Sequence, residues 1–342
     1  MAELRLDKLS KFFGEQAVVK DLSLTIPSGA FTALLGPSGC GKTTTLRIVA
    51  GLESLSGGRL WLGDKLLAGS GTHVPPEQRD MGMVFQSYAL WPHMTVGENV
   101  GYPLKLRQVN GAARQKRVME ALEVVELGAY FGRSPQELSG GQRQRVALAR
   151  CLVSEPRVVL LDEPLANLDR HLRATMEQTF REFHRRTGAT FVYVTHDQAE
   201  AMALASHIAV MHQGELMQWG TPQQLYQQPQ NSWVAGFIGQ GSVLSLAVSP
   251  GLQSLDLAAL HGGLDQPGRD KTVPVLVRPE HVQIAGSGPV ASVESCIYQG
   301  ERYLLELRLQ DGQALSAFHS APLAVRQSVN VQLLQGWRLD AA

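Results

Sequence analysis

The chain has 342 residues, and its 31 Lys and Arg balance its 31 Asp and Glu, so its formal net charge is zero. This length allows about two domains, and a neutral chain has no overall positive field that would indicate a nucleic-acid partner. The three cysteines are odd in number and far apart, which argues against a disulfide framework. No signal-peptide core and no run approaching 18 apolar residues is present, so we expect a chain that does not cross a membrane by itself.

The first motif in the chain is a glycine-rich loop between a predicted strand, residues 31–35, and a predicted helix, residues 44–50. It matches G-x-x-x-x-G-K-[ST], in which backbone N–H groups and a helix N-terminus surround nucleotide phosphates. Lys42 would add a positive charge to those phosphates, and Thr43 would place its hydroxyl on Mg²⁺. The predicted nucleotide-binding residues here are Gly36, Pro37, Ser38, Gly39, Cys40, Gly41, Lys42, Thr43 and Thr44. We also expect the helix N-terminus to favour the thiolate of Cys40.

The chain pattern predicts an α/β fold. Residues 1–86 contain short β-rich runs with a hairpin around residues 57–58, and residues 87–152 are more helical. From residue 157 to 219 strand and helix patterns alternate, which indicates a mostly parallel sheet with flanking helices. The predicted segments are helices 112–125, 142–153, 170–187 and 198–206, and strands 81–85, 158–162, 190–195 and 208–212.

The character of the sequence changes near residues 239–242. Beyond this point short alternating runs and a turn at Asp311-Gly312 are typical of a small antiparallel barrel. We therefore predict a nucleotide-binding domain over residues 1–240, with a helical subdomain over about 87–152, and an all-β domain over residues 242–342.

Two acidic residues stand at the end of the predicted strand 158–162, Asp162 as its last residue and Glu163 directly after it. Ligands bind at the carboxyl ends of strands in parallel sheets, so we expect Asp162 to hold Mg²⁺ and Glu163 to polarise the attacking water.

A second glycine-rich segment, Leu138-Ser139-Gly140-Gly141-Gln142, opens a predicted helix. By itself this segment favours a plain helix cap at Ser139 over an anion site. Gln86 and His196 each follow a predicted strand, and an isolated histidine in that place is usually a surface or capping residue.

Taken in order, these motifs resemble those of the ATP-binding cassette (ABC) ATPases, over almost the whole chain. The resemblance implies that two such domains close head to tail around two ATP molecules. Each would then offer Ser139, Gly140, Gly141, Gln142 and Asp169 to the ATP held by the other, which implies a homodimer or a dimer with a close homologue. It further implies that His196 is catalytic with Glu163, that Gln86 joins Thr43 and Asp162 at Mg²⁺, and that Phe13 stacks on adenine, where Tyr or Trp is more usual.

The resemblance narrows to bacterial importer ATPases with an OB-like (TOBE) tail. Residues 83–96 are similar to the segment that grips a membrane subunit, and residues 277–282 are similar to the start of the tail. Within this branch, which also includes polyamine, 2-aminoethylphosphonate and sugar importers, the length of the chain and its short tail look most like those of the ferric iron importers. The implied partners are two integral membrane permease subunits and, indirectly, a solute-binding protein, at the cytoplasmic face of the inner membrane. Ala166 stands where the family usually has serine.

Two alternatives remain open at this point. One is a soluble cassette ATPase that acts on DNA or ribosomes, although such proteins usually carry two cassettes or a long coiled-coil insertion, and the neutral charge disfavours nucleic acid. The other is a regulatory module with vestigial hydrolysis, which Glu163 and His196 disfavour. We also expect contact between two tails to hold the dimer partly assembled without ATP, against the alternative that the tail is a passive cap.

Overall fold

The structure is a computed structural model that describes residues 3–166, 168–247, 253–257 and 272–339. The chain divides into two compact units, residues 1–222 and residues 223–342. The predicted domain boundary, at residues 240–242, therefore lies inside the second unit. No helix among the described residues is long and apolar enough to cross a membrane.

The first unit combines two sheets with a set of helices. Its strands are β1 (Leu4–Phe13), β2 (Gln16–Ile26), β3 (Phe31–Leu35), β4 (Gly57–Leu62), β5 (Lys65–Gly69), β6 (Thr72–His73), β7 (Met81–Val84), β8 (Val158–Asp162), β9 (Thr190–Thr195), β10 (His207–His212) and β11 (Glu215–Gly220). Its helices are α1 (Lys42–Ala50), α2 (Val96–Leu106), α3 (Gly111–Val124), α4 (Gly140–Leu152), α5 (Arg170–Thr187) and α6 (Gln198–Leu204).

The larger sheet has the order β11-β10-β3-β9-β8-β7, and every pair in it is parallel except β10–β11. All residues of β3, β8 and β9 are buried. Such continuous apolar runs are typical of central parallel strands that are covered on both faces. The predicted α/β fold with a mostly parallel sheet is confirmed, and these three strands have the bounds that the sequence predicted.

The second sheet of this unit is antiparallel, with the order β2-β1-β4-β5-β6. The hairpin that we predicted around residues 57–58 is wrong, because Gly57 begins β4 and that strand turns into β5 only after Leu62. Gly58 has a φ of 86°, and a Cβ there would collide with the carbonyl of Lys8. The glycine thus serves a close approach to β1 instead of a turn.

Each helix in the helical part of the unit begins with a side-chain cap. Thr95 and Glu98 form a reciprocal capping box at α2, Asn110 caps α3, and Ser139 with Gln142 forms a second capping box at α4. Helix α4 starts two residues before the predicted residue 142, because Gly140 and Gly141 belong to its first turn.

Arg79 stabilises the helix that follows the phosphate loop. Its guanidinium is 1% exposed and donates to the carbonyls of Ile48 and Val49, at 2.7 and 2.9 Å, and to that of Val74 at 2.7 Å. Burial lowers its pKa to about 10. The last carbonyls of α1, which have no partner within a helix, are thus bound by a buried cation that the sequence analysis missed.

The second unit is mostly antiparallel β-structure, as predicted. Its sheets have the orders β12-β14-β19-β13 and β17-β16-β15-β18, around a core of Leu and Val side chains. Its elements are α7 (Pro222–Gln227), which begins at the boundary, α8 (Ser232–Phe237), β12 (Ser242–Leu246), β13 (Ser254–Asp256), β14 (Val273–Val277), β15 (Val282–Tyr298), β16 (Tyr303–Leu309), β17 (Ala314–His319), β18 (Ser328–Leu333) and β19 (Gln335–Arg338).

Candidate nucleotide site

The phosphate loop connects β3 to α1, and its shape depends on glycines. A Cβ at Gly36 would collide with the backbone carbonyl of Met211, which cannot move as a side chain can. Gly41 has a φ of 99°, and a Cβ there would lie 2.6 Å from the carbonyl oxygen of Val18. The loop therefore keeps its N–H groups close to neighbouring backbone only because both positions lack a side chain.

Lys42, the first residue of α1, is 4% exposed. Its Nζ donates to the carbonyl oxygens of Gly36 at 2.7 Å and Pro37 at 2.8 Å. The loop thus holds a positive charge between its own carbonyls and the start of a helix, where negative phosphate oxygens are favoured.

The expectation of a reactive thiolate at Cys40 is wrong. The side chain is 4% exposed, and burial raises the pKa of the thiol despite the opposing charge of Lys42. The desolvation of a thiolate outweighs the favourable charge and hydrogen bonds in this position.

Thr43 and Asp162 place two oxygen ligands side by side. Thr43 Oγ1 donates to Asp162 Oδ1 at 3.1 Å, and Asp162 is the last residue of β8. Burial raises the pKa of Asp162, and the hydrogen bond from Thr43 opposes that shift. A partly desolvated carboxylate beside a hydroxyl fits Mg²⁺, which commonly uses one or two protein oxygens together with substrate phosphates. No cluster of three or more His, Cys, Asp or Glu that could hold a metal ion occurs within the described ranges.

Gln86 lies in the turn after β7 and is exposed. No hydrogen bond in the described part of the chain joins it to Thr43 or Asp162. The parallel register pairs Val84 with Leu161, so Gln86 follows its strand at the same sheet edge as Glu163. Its assignment to Mg²⁺ stays a prediction.

Glu163 and His196 form a pair at this edge. Glu163 Oε2 lies 3.2 Å from His196 Nδ1, and the Glu163 N–H donates to Val194 O at 3.1 Å. Glu163 has a φ of 43°, a left-handed conformation that costs free energy for a residue with a side chain. Glu163 immediately follows β8, and its strained backbone places the carboxylate beside the exposed imidazole of His196, which follows the neighbouring strand β9.

The segment from Ser139 to Gln142 forms a helix cap in this chain. Ser139 N donates to Gln142 Oε1 at 2.9 Å, and Gln142 N donates back to Ser139 Oγ at 3.3 Å. A Cβ at Gly141 would collide with Leu172 of α5. Asp169 caps α5 and accepts a hydrogen bond from Leu172 N at 2.9 Å. The two groups assigned to a partner's ATP thus adjoin each other through Leu172.

Phe13 is the last residue of β1, and its side chain is 49% exposed. The ammonium of Lys11 lies 4.8 Å from the centre of its ring, a cation–π distance. Lys11 itself is tied to Glu53 by an ion pair of 2.6 Å. The exposed part of the Phe13 ring is compatible with the stacking that we predicted.

Comparison with known proteins agrees with this geometry. The sequence profile of the ABC transporter family matches residues 19–166, and that of the TOBE domain matches residues 275–336. The Fe(3+) ions import ATP-binding protein of Photorhabdus laumondii is 42% identical over 91% of this chain and 88% of its own length. The trehalose/maltose import ATP-binding protein of Thermococcus litoralis is 53% identical over 70% of this chain and 65% of its own length. The spermidine/putrescine import ATP-binding protein of Thermobifida fusca is 45% identical over 85% of this chain and 77% of its own length.

A solved dimer of an ATP-binding cassette with ADP and Pi covers 64% of this chain and 98% of its own, with a TM-score of 0.57 and 32% identity. This chain belongs to the ABC transporter ATPase family. It is an ABC ATPase with a TOBE domain, as the sequence predicted.

The sequence analysis missed two side chains that shape the ABC ATPase around Gln86. Arg150 of α4 donates to the carbonyls of Ala89 at 2.6 Å and Tyr88 at 2.9 Å, and its guanidinium lies over the ring of Trp91. Asn99, which is fully buried, accepts from Trp91 N and donates to Trp91 O. The signal in the sequence was weak, because a polar residue within a helix pattern does not reveal its partners in a distant loop.

The burial of the three cysteine thiols in this ABC ATPase predicts the order in which maleimide labels them. Cys151 is buried, and burial raises its pKa to about 12, so it should react most slowly with maleimide between pH 7 and 8, because little thiolate forms. Cys40 should be slow for the same reason, and the partly exposed Cys296 should react first. Peptide mapping by mass spectrometry over a time course measures this. Faster labelling of Cys40 than of Cys296 would contradict the burial argument.

Proposed function

We propose that this ABC ATPase is the energising subunit of a bacterial importer, and that a dimer of two chains binds and hydrolyses two ATP molecules. The observation that carries the proposal is the Glu163–His196 pair at 3.2 Å, at the same sheet edge as the Thr43–Asp162 pair at 3.1 Å and the phosphate loop. The names of its relatives as import ATP-binding proteins support the direction of transport.

ATP binding follows from the loop. The backbone N–H groups of residues 36 and 38–44, together with the charge on Lys42, bind the β- and γ-phosphates, while Phe13 stacks on adenine. Mg²⁺, held by Thr43, Asp162 and Gln86, would neutralise developing charge on the phosphates. The raised pKa of Asp162 reflects a carboxylate that is desolvated before any cation arrives.

Hydrolysis requires a base beside the γ-phosphate. Glu163 accepts a proton from water as the water oxygen attacks phosphorus, the bond between the γ-phosphorus and the bridging oxygen breaks, and ADP and phosphate leave. His196 holds the carboxylate of Glu163 through Nδ1. Catalysis consists mainly of positioning and charge stabilisation.

The dimer completes each site. The capped turn at Ser139, Gly140, Gly141 and Gln142, with Asp169 beside it through Leu172, contacts the ATP of the second copy or of a close homologue. The relative solved as a dimer with ADP and Pi supports this arrangement.

Coupling to transport uses the segment that follows Gln86. Residues 87–96, held in place by Arg150 and Asn99, contact two integral membrane permease subunits at the cytoplasmic face of the membrane. A solute-binding protein acts only through those permeases, and no nucleic acid takes part.

Residues 242–342 act as a regulatory TOBE domain after a nucleotide-binding domain of residues 1–240. Ferric iron, the solute expected from the sequence, is one of several solutes that the names of relatives carry, beside sugars and polyamines, and it is not favoured over them.

Replacing the proposed base tests hydrolysis. Glu163→Gln should retain ATP affinity and lose steady-state hydrolysis by about 100-fold or more, because an amide cannot accept the proton. Size-exclusion chromatography should then show a dimer that ATP traps. Glu155→Gln, at an exposed carboxylate 3.0 Å from Arg117, is the matched control and should hydrolyse normally. Near-normal turnover in purified Glu163→Gln would remove Glu163 from its catalytic role.

Affinity purification tests the role in import. The tagged chain, recovered from detergent-solubilised cells of its source, should bring two integral membrane proteins with it. Alanine at Trp91, whose ring packs 4.5 Å from that of Tyr102 in the proposed contact segment, should weaken this association while the isolated chain still hydrolyses ATP. Recovery of ribosomes or DNA in place of membrane proteins would overturn the importer proposal.

A further inference from the structure

We infer that Arg173 is a positioning residue that fixes His196 by tying the first turn of α5 to the residues that follow β9. The inference rests on the proposed function, because it assigns Arg173 a part in the hydrolysis that His196 and Glu163 perform. Neither the family motifs nor the pattern of the sequence indicates this arginine.

Arg173 stands next to the groups that we assign to the partner's ATP. Its backbone N–H donates to the carbonyl of Asp169 at 2.9 Å, so it lies one turn beyond the cap of α5. The preceding residue, Leu172, adjoins Gly141 of the capped turn before α4. Arg173 and the cap before α4 are thus connected through Leu172 and the first turn of α5.

The guanidinium of Arg173 reaches the segment around His196 with two of its nitrogens. Its NH1 donates to Asp197 Oδ2 at 2.9 Å, and its Nε lies 3.6 Å from Glu200 Oε1. Asp197 directly follows His196 in the chain and caps α6, because its Oδ1 accepts from the N–H of Ala199 at 2.7 Å. Arg173 thus pairs with two carboxylates beside the imidazole, through a hydrogen bond to Asp197 in the turn and a longer ion pair to Glu200 in α6.

Glu200 anchors the other side of this turn. It is 4% exposed, and its Oε2 accepts from Tyr193 OH at 2.6 Å and from Thr195 Oγ1 at 2.7 Å. Both donors belong to β9, the strand that ends immediately before His196. One carboxylate therefore joins the strand through one oxygen and Arg173 through the other.

The charges explain why the arginine is needed. Asp197 and Glu200 are two carboxylates three residues apart in the chain, and Glu177 of α5 is repelled by both. Burial, with repulsion from Glu200 as a further cause, raises the pKa of Glu177. Removing Arg173 leaves a buried carboxylate without its cation and beside like charges, which is strongly unfavourable unless the turn moves.

A double-mutant cycle distinguishes positioning of His196 from a merely structural role. The variants are Arg173→Met, His196→Ala and the double variant, with Arg185→Met as the matched control on the same helix, where the arginine is 78% exposed and pairs with Glu182. Single-turnover hydrolysis of Mg-ATP with enzyme in excess resolves even slow rates, and nucleotide affinity is measured separately in each variant.

We expect Arg173→Met to slow hydrolysis by about tenfold or more while ATP affinity stays within about twofold, because misplacement of a reacting group affects rate more than binding. In the His196→Ala background the same change should have no further effect on rate, since residues that act through one another are not additive. Arg185→Met should hydrolyse as the wild type does.

Equal slowing by Arg173→Met with and without His196 would overturn the inference. Arg173→Lys, which keeps the charge but loses the planar fork, provides a second variant if the methionine form fails to fold. We expect its rate to lie between those of the wild type and His196→Ala, and a wild-type rate would contradict the need for two contacts. Wild-type hydrolysis in His196→Ala alone would instead overturn the role of His196 in the proposed function.

Discussion

The parallel pairing of β3, β9 and β8 is the constraint on which the rest of the site depends. Leu35 pairs with Thr195, and Asp162 pairs with Val194, so all three strands end at one level. The phosphate loop, the histidine and the acidic pair leave the sheet at that edge. A shift of one residue in the register between these strands would move the loop, the histidine and the acidic pair relative to one another along the strand direction.

At this edge the charged groups are partly desolvated and are held by hydrogen bonds. Lys42 is bound by loop carbonyls, and Asp162 is bound by a hydroxyl while burial raises its pKa. Electrostatic interactions are stronger in such surroundings than in water. The strained φ of Glu163 adds to this picture of a site whose geometry is set before substrate arrives, at some cost to the stability of the fold.

The sequence predicted the central strands because their apolar runs are short, continuous and bounded by turn residues. It also predicted the motif residues, since the chemistry of phosphate binding requires glycine, lysine and hydroxyl at fixed spacing. The sequence-based prediction failed where the role of a residue depends on a contact with a residue far away in the chain. Gly58 lacks a side chain because the backbone of β1 passes close to it. At Cys40 burial raises the pKa of the thiol, and this effect outweighs the lower pKa expected at a helix N-terminus. Arg173, Arg150 and Arg79 could not be predicted, because their partners are brought to them only by tertiary packing.

The central claim is that each ATP lies between two chains, with a phosphate loop from one and the Ser139–Gln142 turn from the other. Mixing two inactive forms tests it most directly: one carries Lys42→Ala, and the other carries Gly140→Asp, which adds a negative charge to the turn. In a mixed dimer, one site has both lesions and the other has neither. The account predicts that ATP hydrolysis, absent from each form alone, appears on mixing. A mixture as inactive as its components, although the two forms are shown to dimerise with each other, would contradict it.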